Sequence, residues 1–422
     1  MDNDVWFQKA DDVELVHATY LMSVPEGFDP HAAAAKLAVG QTTGTWVDVP
    51  GVTERMRREH QGRVIRVIEV PSVDVAVPDG TAARYALMTI GVPSANLGGD
   101  IPTLLTTVLG NDASTSVLAK LVELELPRSF HEAAGGPAFG LDGIRELTGV
   151  RDRPLLLSMI KPCIGMTIED SATIFRETAL GGADIIKDDE VLTHTIGSTP
   201  VDRVRAFRRE AERVKEETGR TVPYAVNITG RPDRMLKDAQ VCADEGATAL
   251  MINYSATGYG AVQMIRDAVG LPVLGHFAGT GPFIESPHSG MAGAIATGQL
   301  PRLAGSDMAM ILTPWGGYPL STGTYRQTVS ALRAPVAGLK PTLPLIGGGV
   351  HPGMVEKYVG DLGHDIALSP GGGVHGHPGG SRSGATAMRQ AIDAVVEGRP
   401  VVEAAKEHEE LAQALEAFGT GI

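Results

Sequence analysis

The 422-residue chain is long enough for two domains with separate hydrophobic cores. Its 43% hydrophobic and 20% charged residues are typical of soluble globular proteins and exclude a globally disordered chain. The formal net charge of −14 argues against nucleic acid as a partner, because binding to its phosphates requires a basic surface.

The N-terminus and the cysteines bear on cellular location. The acidic start MDNDVWFQKADD lacks the basic and apolar regions of a signal peptide, and no run of about 18 apolar residues occurs. Cys163 and Cys242 are too few for a disulfide framework or a cysteine-based zinc site. We therefore expect a cytoplasmic protein with no membrane partner.

Residues 1–138 are predicted to form an N-terminal α+β domain of the ferredoxin-like type, in which strands pack with two helices. The predicted strands lie at 13–24, 64–71, 82–93 and 117–127. The predicted helices lie at 30–44 and 101–110. The turn GGPAFG at 135–140 is the expected seam to the next domain.

Residues 139–400 are predicted to form a (β/α)8 TIM barrel, because short apolar runs alternate with helical segments. The runs lie at 155–162, 183–190, 223–230, 249–254, 272–279, 308–314, 343–349 and 365–373. A doubly wound open sheet is the alternative, since periodicity cannot prove closure. The segment 388–419 is predicted to be an amphipathic helix outside the barrel, and 401–422 a helical C-terminal extension.

Polar residues follow several predicted barrel strands, at the end where barrels carry their chemistry. These residues are Lys161, the run Lys187, Asp188, Asp189 and Glu190, then Asn227 and His276. Strand alternation places Lys187 and Asp189 on one face, and Glu190 can turn inward where the strand ends. Asp189 and Glu190 then offer the oxygen ligands that Mg²⁺ prefers.

Glycine runs at 347–349 and 371–373 end the seventh and eighth predicted strands, where barrels commonly bind phosphate through backbone N–H groups. Taken singly, each feature has a simpler interpretation. A KDDE run is usually a solvated turn, a glycine run is usually a turn, and His276 alone is more often structural. The coincidence of all of them at one rim favours a site.

The motifs give the chain a resemblance to the large subunit of ribulose-bisphosphate carboxylase (RuBisCO), and more narrowly to the form IV RuBisCO-like proteins. The resemblance covers nearly the whole chain. It is carried by TTGTW (42–46), TVLGN (107–111), MIKP (159–162), GGADIIKDDE (181–190), LAGSDM (303–308), GGGVHPG (347–353) and PGGGVHGHPGG (370–380). It implies a homodimer, or a multiple of dimers, in which the N-terminal domain covers the barrel mouth of a partner subunit.

The resemblance also implies roles for individual residues. Lys187 would react with CO2 to form a carbamate that binds Mg²⁺ together with Asp189 and Glu190. Lys161 would transfer protons at the carbonyl carbons, and Lys187, Asn111 and His276 complete the expected catalytic set, Asn111 coming from the partner. The phosphate site of a small phosphorylated substrate would consist of Thr45, Trp46, Gly348, Gly349, Gly371 and Gly372.

Departures from the RuBisCO pattern narrow the expected activity. Cys163 replaces a second lysine, and the loop 313–321 contains no lysine, so CO2 fixation is not expected. Phe277 and Met310 replace the cationic and polar partners of a second phosphate. We therefore expect a substrate with one phosphate.

The expected activity is Mg²⁺-dependent formation of an enolate from a sugar or sugar-acid monophosphate. We expect a decarboxylase or related lyase of a 3-oxo sugar-acid phosphate, because the resemblance implies a lysine in the methionine-salvage enolases where this chain has Asn111. That diketo-phosphate enolase and a methylthioribulose-phosphate isomerase are alternatives. A non-catalytic regulatory homologue is a further alternative, although the retained Lys187 and its neighbouring acids would be costly to bury without a metal.

Overall fold

The computed structural model describes residues 13–25, 27–44, 49–70, 84–115, 118–317 and 320–421. The chain forms two compact units. The first consists of Met1–Gly135, Thr280–Ala296 and Ala337–Leu339, and the second of Gly136–Gly279, Thr297–Val336 and Lys340–Ile422. Within the described ranges, no helix has the length and apolar character needed to cross a bilayer. The domain limits predicted above stay predictions.

The first unit contains, in its described part, an antiparallel sheet of four strands. The strands are β1 (Leu15–Val24), β2 (Arg63–Val70), β3 (Arg84–Pro93) and β4 (Ala119–Glu125). Their order across the sheet is β2-β3-β1-β4. The helices are Pro30–Gly40, Glu54–His60, Ile101–Val108, Asn111–Ser114, Arg128–Ala134 and Gly281–Ile284. With a helix after β1 and another after β3, this order confirms the ferredoxin-like prediction.

Local sequence explains these elements. In β1 the buried residues recur at every second position, as in a strand with one face on a core. The Pro30–Gly40 helix begins where the Asp29 carboxylate accepts hydrogen bonds from the backbone N–H groups of His31 and Ala32 at 2.9 and 3.1 Å. The segment 280–296 also joins this unit, since the Leu121 N–H donates to the Gly290 carbonyl at 2.9 Å. The sequence did not predict this contribution.

The second unit is a closed barrel of parallel strands. Its described strands are β5 (Leu155–Met159), β6 (Ile185–Lys187), β7 (Tyr224–Asn227), β8 (Ala249–Asn253), β9 (Val273–His276), β10 (Met308–Leu312), β11 (Leu343–Gly347) and β12 (Ala367–Ser369). Because β12 pairs with β5, the sheet closes. The barrel prediction is confirmed, and the open-sheet alternative is wrong.

Helices surround the barrel strands. They are Gly140–Thr148, Ile168–Leu180, Pro200–Thr218, Pro232–Asp244, Tyr254–Thr257, Tyr259–Ala268, Leu300–Ala304, Thr322–Arg333, Val355–Leu362, Gly372–His375, Gly380–Val396, Val401–Ala404 and Glu409–Phe418. The Pro200–Thr218 helix has a capping box formed by Thr199 and Asp202, and it ends at Gly219, whose φ of 74° is left-handed.

The predicted amphipathic helix over 388–419 is wrong as one continuous element. The structure has Gly380–Val396, Val401–Ala404 and Glu409–Phe418 instead. The first break falls at Gly398, with a φ of 74°, and Pro400, because a left-handed glycine and a proline both interrupt helical hydrogen bonding.

The barrel interior is filled by apolar side chains from its strands. The Gly140–Thr148 helix adds Leu141 and Ile144 to this core. Asp307 fixes the start of that helix, since its carboxylate accepts hydrogen bonds from the N–H groups of Phe139 and Gly140, each at 2.7 Å. The core is therefore closed at the end where the strands begin, which leaves the opposite end for a site.

Candidate active site

A cavity of about 480 Å³ lies at the carboxyl ends of the barrel strands. Its lining residues are Met159, Lys161, Glu190, His276, Phe277, Met310, Leu312, Gly347, Gly348, Gly349, Val350, His351, Ser369, Gly371, Gly372, Gly373 and Phe418. The structure thus brings together Lys161, Glu190, His276 and both predicted glycine runs. The volume of this cavity is suited to a small molecule.

The strand β6 directs Lys187 into the barrel. Ile185 belongs to the barrel core, and Lys187, two residues later, is completely buried. Its Nζ donates a hydrogen bond to the backbone carbonyl of Asp188 at 2.9 Å. Burial lowers the pKa of Lys187. The negative charges of Glu190 and Asp189 act to raise this pKa, but they offset only part of the lowering. A lowered pKa increases the population of the neutral amine, which is the form that reacts with CO2.

Lys161 and Asp189 form an ion pair beside the cavity. The Lys161 Nζ donates to the Asp189 carboxylate at 2.6 Å and to the Cys163 sulfur at 2.8 Å. Burial acts to lower the pKa of Lys161, but the bonds and charges of Asp189 and Cys163 outweigh it and raise the pKa. Burial acts to raise the pKa of Asp189, and Lys161 reverses this to a net lowering. Lys161 is therefore an ammonium and Asp189 a carboxylate.

His276 is buried and faces Glu190. Its Nδ1 accepts a hydrogen bond from the Ala278 N–H at 3.2 Å, so the ring proton of the neutral form is on Nε2. Nε2 lies 3.9 Å from the Glu190 carboxylate, whose side chain is 34% exposed. Burial, and next the charge of Lys187, hold the pKa of His276 well below its usual range. His276 is therefore neutral at pH 7.

Asn227 does not line the cavity, but it binds the backbone of the acidic run. Its side-chain amide donates to the backbone carbonyls of Asp189 at 3.1 Å and Glu190 at 3.0 Å.

Two residues that were not predicted from the sequence also lie near the acidic run. Arg203 binds Asp188 behind the strand, and the His375 Nε2–H donates a hydrogen bond to the Met159 carbonyl at 2.9 Å. The sequence could have indicated that Arg203 is buried, because it lies beside Val204 on the buried face of its helix.

The side chains around Lys187 fit a Mg²⁺ site completed by a carbamate. In the part of the chain that the structure describes, no group of three His, Cys, Asp or Glu side chains could hold a metal. Asp189 and Glu190 supply two carboxylates, and a carbamate on Lys187 would supply a third anion of the oxygen type that Mg²⁺ prefers. Lys187 is also a buried amine without a described salt bridge, an environment that favours loss of its positive charge.

The glycine runs form one wall of the cavity. Gly348 and Gly349 have φ values of 89° and 71°, which favour glycine. A Cβ on Gly371 would lie 3.0 Å from the Met159 Cγ and 3.2 Å from the Lys161 Cε, so only glycine fits without displacing them. The predicted phosphate-binding residues Gly348, Gly349, Gly371 and Gly372 all lie on this wall. Thr45 and Trp46 lie outside the described residues.

Apolar side chains also line the cavity, and we call them the apolar wall: Met159, Phe277, Met310, Leu312, Val350 and Phe418. The polar residues His351 and Ser369 complete the lining. Phe277 stacks on the His276 ring with a centroid separation of 5.1 Å. Phe277 and Met310, where the sequence predicted that a second phosphate would not bind, both line the cavity, and that expectation stays a prediction.

Asn111 belongs to the first unit. It begins the short Asn111–Ser114 helix, and its side chain is exposed. Its expected role at the barrel mouth of a partner subunit stays a prediction.

Comparisons with known proteins identify the family. The model described as the ribulose bisphosphate carboxylase large chain, catalytic domain, matches residues 140–418. The model for the N-terminal domain of the same chain matches residues 5–130. The ribulose bisphosphate carboxylase-like protein of Archaeoglobus fulgidus is 37% identical over 97% of this chain and 94% of its own. The 2,3-diketo-5-methylthiopentyl-1-phosphate enolase of Bacillus licheniformis is 39% identical over 95% of this chain and 97% of its own.

Solved structures of RuBisCO and of RuBisCO-like proteins are similar to this chain. A rubisco-like protein (MtnW) from Alicyclobacillus acidocaldarius has a TM-score of 0.88 at 38% identity, covering 96% of this chain and 100% of that one. The dimeric archaeal Rubisco from Hyperthermus butylicus has a TM-score of 0.88 at 27% identity, covering 99% of both chains. The chain belongs to the ribulose bisphosphate carboxylase large-chain family, and within it to the form IV RuBisCO-like proteins. An enolase among these relatives favours an enzyme over a non-catalytic homologue.

Proposed function

We propose that this protein is a Mg²⁺-dependent enzyme that enolises a phosphorylated 2,3-diketone, of the class of 2,3-diketo-5-methylthiopentyl-1-phosphate. The observation that carries this proposal is a cavity in which the Lys161 ammonium lies with a glycine wall and an apolar wall. The glycine wall suits a phosphate, and the apolar wall suits a methylthio end without hydroxyl groups. The similarity to the Bacillus licheniformis enolase supports this choice.

The proposal departs from our sequence-based preference for a decarboxylase or lyase of a 3-oxo sugar-acid phosphate. Phe277, Met310 and Leu312 offer no side-chain partners for the hydroxyl groups of a sugar acid. The lyase stays a second candidate because of Asn111, which stands where the resemblance implies a lysine in the salvage enolases.

Each described residue has an assigned task in the proposed reaction. Backbone N–H groups of the glycine wall hold the phosphate and orient the adjacent carbon. As an ammonium, Lys161 donates a proton from Nζ to the carbonyl oxygen, and the neutral amine so formed accepts the proton that leaves the adjacent carbon, which regenerates the ammonium. Asp189 holds Lys161 in place through the 2.6 Å contact. His276 contributes a neutral ring to the cavity, with its Nε2 at 3.9 Å from the Glu190 carboxylate, which is beyond hydrogen-bonding distance.

The proposed metal ligands are Asp189, Glu190 and the carbamate of Lys187. When bound there, Mg²⁺ supplies a Lewis acid for the negative charge that develops on the substrate oxygen. The resemblance to RuBisCO, confirmed at the level of the family, supports this cofactor.

We also propose a cytoplasmic homodimer with shared active sites. Thr45, Trp46 and Asn111 of each subunit would complete the barrel mouth of the other. The structural similarity to a dimeric archaeal Rubisco supports this assembly. A dimer with twofold symmetry generates two equivalent sites from such an exchange.

The two candidate reactions are distinguished by their products. Purified enzyme with Mg²⁺ and bicarbonate is mixed with the diketone phosphate or with a 3-oxo sugar-acid monophosphate. NMR in deuterium oxide follows enol formation, and a coupled assay follows CO2 release. We expect enol from the diketone and no CO2 from the acid. CO2 release from the acid without enol from the diketone would favour the lyase instead.

A further inference from the structure

Arg203 is a fully buried arginine on the first turn of the Pro200–Thr218 helix. It lies behind β6, on the side of the strand opposite the cavity. Its Nε donates to the Asp188 carboxylate at 3.0 Å, and both side chains have no exposed surface. Asp188, the middle acid of the run, is therefore turned away from Lys187 and Asp189.

Asp188 collects further hydrogen bonds from β7. Its carboxylate accepts one from the Tyr224 hydroxyl at 2.5 Å and one from the Asn227 backbone N–H at 2.8 Å. Asp188 is thus held by a helix and by a neighbouring strand at once. Its backbone leads directly into the metal-binding positions Asp189 and Glu190.

The remaining N–H groups of Arg203 bind the loop that follows. They donate to the carbonyls of Thr193 at 2.9 Å and Ser198 at 2.7 Å, and at longer range to Leu192 at 3.4 Å. Another donates to the Asn227 carbonyl at 3.3 Å. The planar guanidinium therefore joins four stretches of chain through one side chain.

The loop over 188–198 has little apolar packing to hold it. Val191 is 52% exposed and Ile196 is fully exposed, while Leu192 is buried. Its position consequently depends on hydrogen bonds, and Arg203 supplies several of them. The Asn227 amide supplies others, at the Asp189 and Glu190 carbonyls.

We propose that Arg203 is a positioning residue for the metal site, which fixes the backbone of Asp189 and Glu190 through Asp188 and the loop carbonyls. This inference rests on the proposed metal site and not on the identity of the substrate. A buried ion pair is weak evidence for a role in stability alone, because desolvation offsets much of its attraction. Residues behind metal ligands, by contrast, commonly change metal affinity.

The test compares Arg203→Met with Arg302→Met. Arg302 is an appropriate control because it is also buried in the barrel unit and donates to backbone carbonyls, those of Lys340, Ala331 and Ala334 at 2.8–3.0 Å. Mn²⁺ affinity of the full chain in bicarbonate buffer is measured by electron paramagnetic resonance, and hydrogen exchange of residues 188–198 by mass spectrometry. We expect Arg203→Met to weaken Mn²⁺ binding at least about tenfold and to speed exchange in this loop. Arg302→Met should change neither.

Equal Mn²⁺ affinity in Arg203→Met and the wild type, or an equal loss in Arg302→Met, would overturn the inference. If Arg203→Met does not fold, Arg203→Lys keeps a charge for Asp188 and loses the planar fork, so it should still weaken Mn²⁺ binding and speed loop exchange. Wild-type affinity and exchange in Arg203→Lys would then overturn it. Failure of the wild type to bind Mn²⁺ would instead contradict the proposed metal site, and this inference with it.

Discussion

Lys161 combines three properties of a proton-transfer residue: it lines the cavity, it carries a perturbed pKa, and a fixed carboxylate holds its amine. The ion pair with Asp189 places Nζ at a defined point beside the glycine wall. Lys237, by contrast, is exposed and lies outside the cavity lining.

Replacing Lys161 by methionine should reduce kcat by about 100-fold to 10,000-fold, the usual contribution of a general acid or base. The KM should change much less, because the phosphate and apolar walls stay in place. Steady-state kinetics on the diketone phosphate measure both. Lys237→Met is the control, and a kcat for Lys161→Met within tenfold of wild type would contradict the assigned role.

His375 makes stability depend on pH. Burial lowers the pKa of His375 to about 4, although its hydrogen bond to the Met159 carbonyl acts in the opposite direction. A histidine with a lowered pKa binds fewer protons in the folded state. Its contribution to stability is therefore complete above the unfolded pKa of about 6.5 and is lost as the pH falls towards 4.

We expect the free energy of unfolding of the wild type to fall between pH 7 and pH 5 by about 2 kcal/mol more than that of His375→Gln. Urea denaturation at the two pH values measures the difference. His288→Gln, at an exposed position, should keep the wild-type dependence. An unchanged dependence in His375→Gln would show that another group is responsible.

At the scale of elements, the glycine runs after β11 and β12 bring backbone close to the reacting groups. A Cβ on Gly371 would require Met159 and Lys161 to move by a few tenths of an ångström. Gly360, in the Val355–Leu362 helix, has open space where a Cβ would be. The two glycines therefore form a matched pair for substitution.

Gly371→Ala should lower kcat/KM by at least about tenfold, since a shift of the wall or of Lys161 misaligns the substrate. Gly360→Ala should keep the wild-type value. Inhibition by inorganic phosphate, measured on both variants, tests phosphate binding at the glycine wall separately from catalysis. Equal phosphate inhibition and equal kcat/KM in both variants would exclude Gly371 from the site.

Local sequence patterns encode the barrel strands and the interior position of Lys187, but they do not encode the roles of Arg203 and of the segment 280–296. The barrel was predictable because each strand is a short apolar run, and alternation along β6 correctly placed Lys187 inside. Arg203 was not predicted, because a charged residue in a helix is usually solvated. Its partner Asp188 lies 15 residues earlier in the chain, before the helix begins. The contribution of 280–296 to the first unit depends on pairing with Leu121, far away in sequence, which no local pattern encodes.

At the scale of the whole molecule, the proposed dimer predicts complementation between subunits. Asn111→Ala and Lys187→Ala proteins should each be inactive, and mixing with subunit exchange should restore activity. A mixed dimer has one site with both lesions and one site with neither. Random exchange makes half of the dimers mixed, so recovery should approach about a quarter of wild-type activity. No recovery after verified exchange would place the whole site within one chain.

We propose that enolisation requires a metal site that Lys187, once carbamylated, completes with Asp189 and Glu190. The most direct test of this requirement is turnover of the diketone phosphate by enzyme freed of metal and CO2. We expect no activity with Mg²⁺ alone or bicarbonate alone, full activity when both are restored, and none in Lys187→Ala under any condition. Full activity in the wild type after exhaustive chelation and CO2 removal would contradict the account.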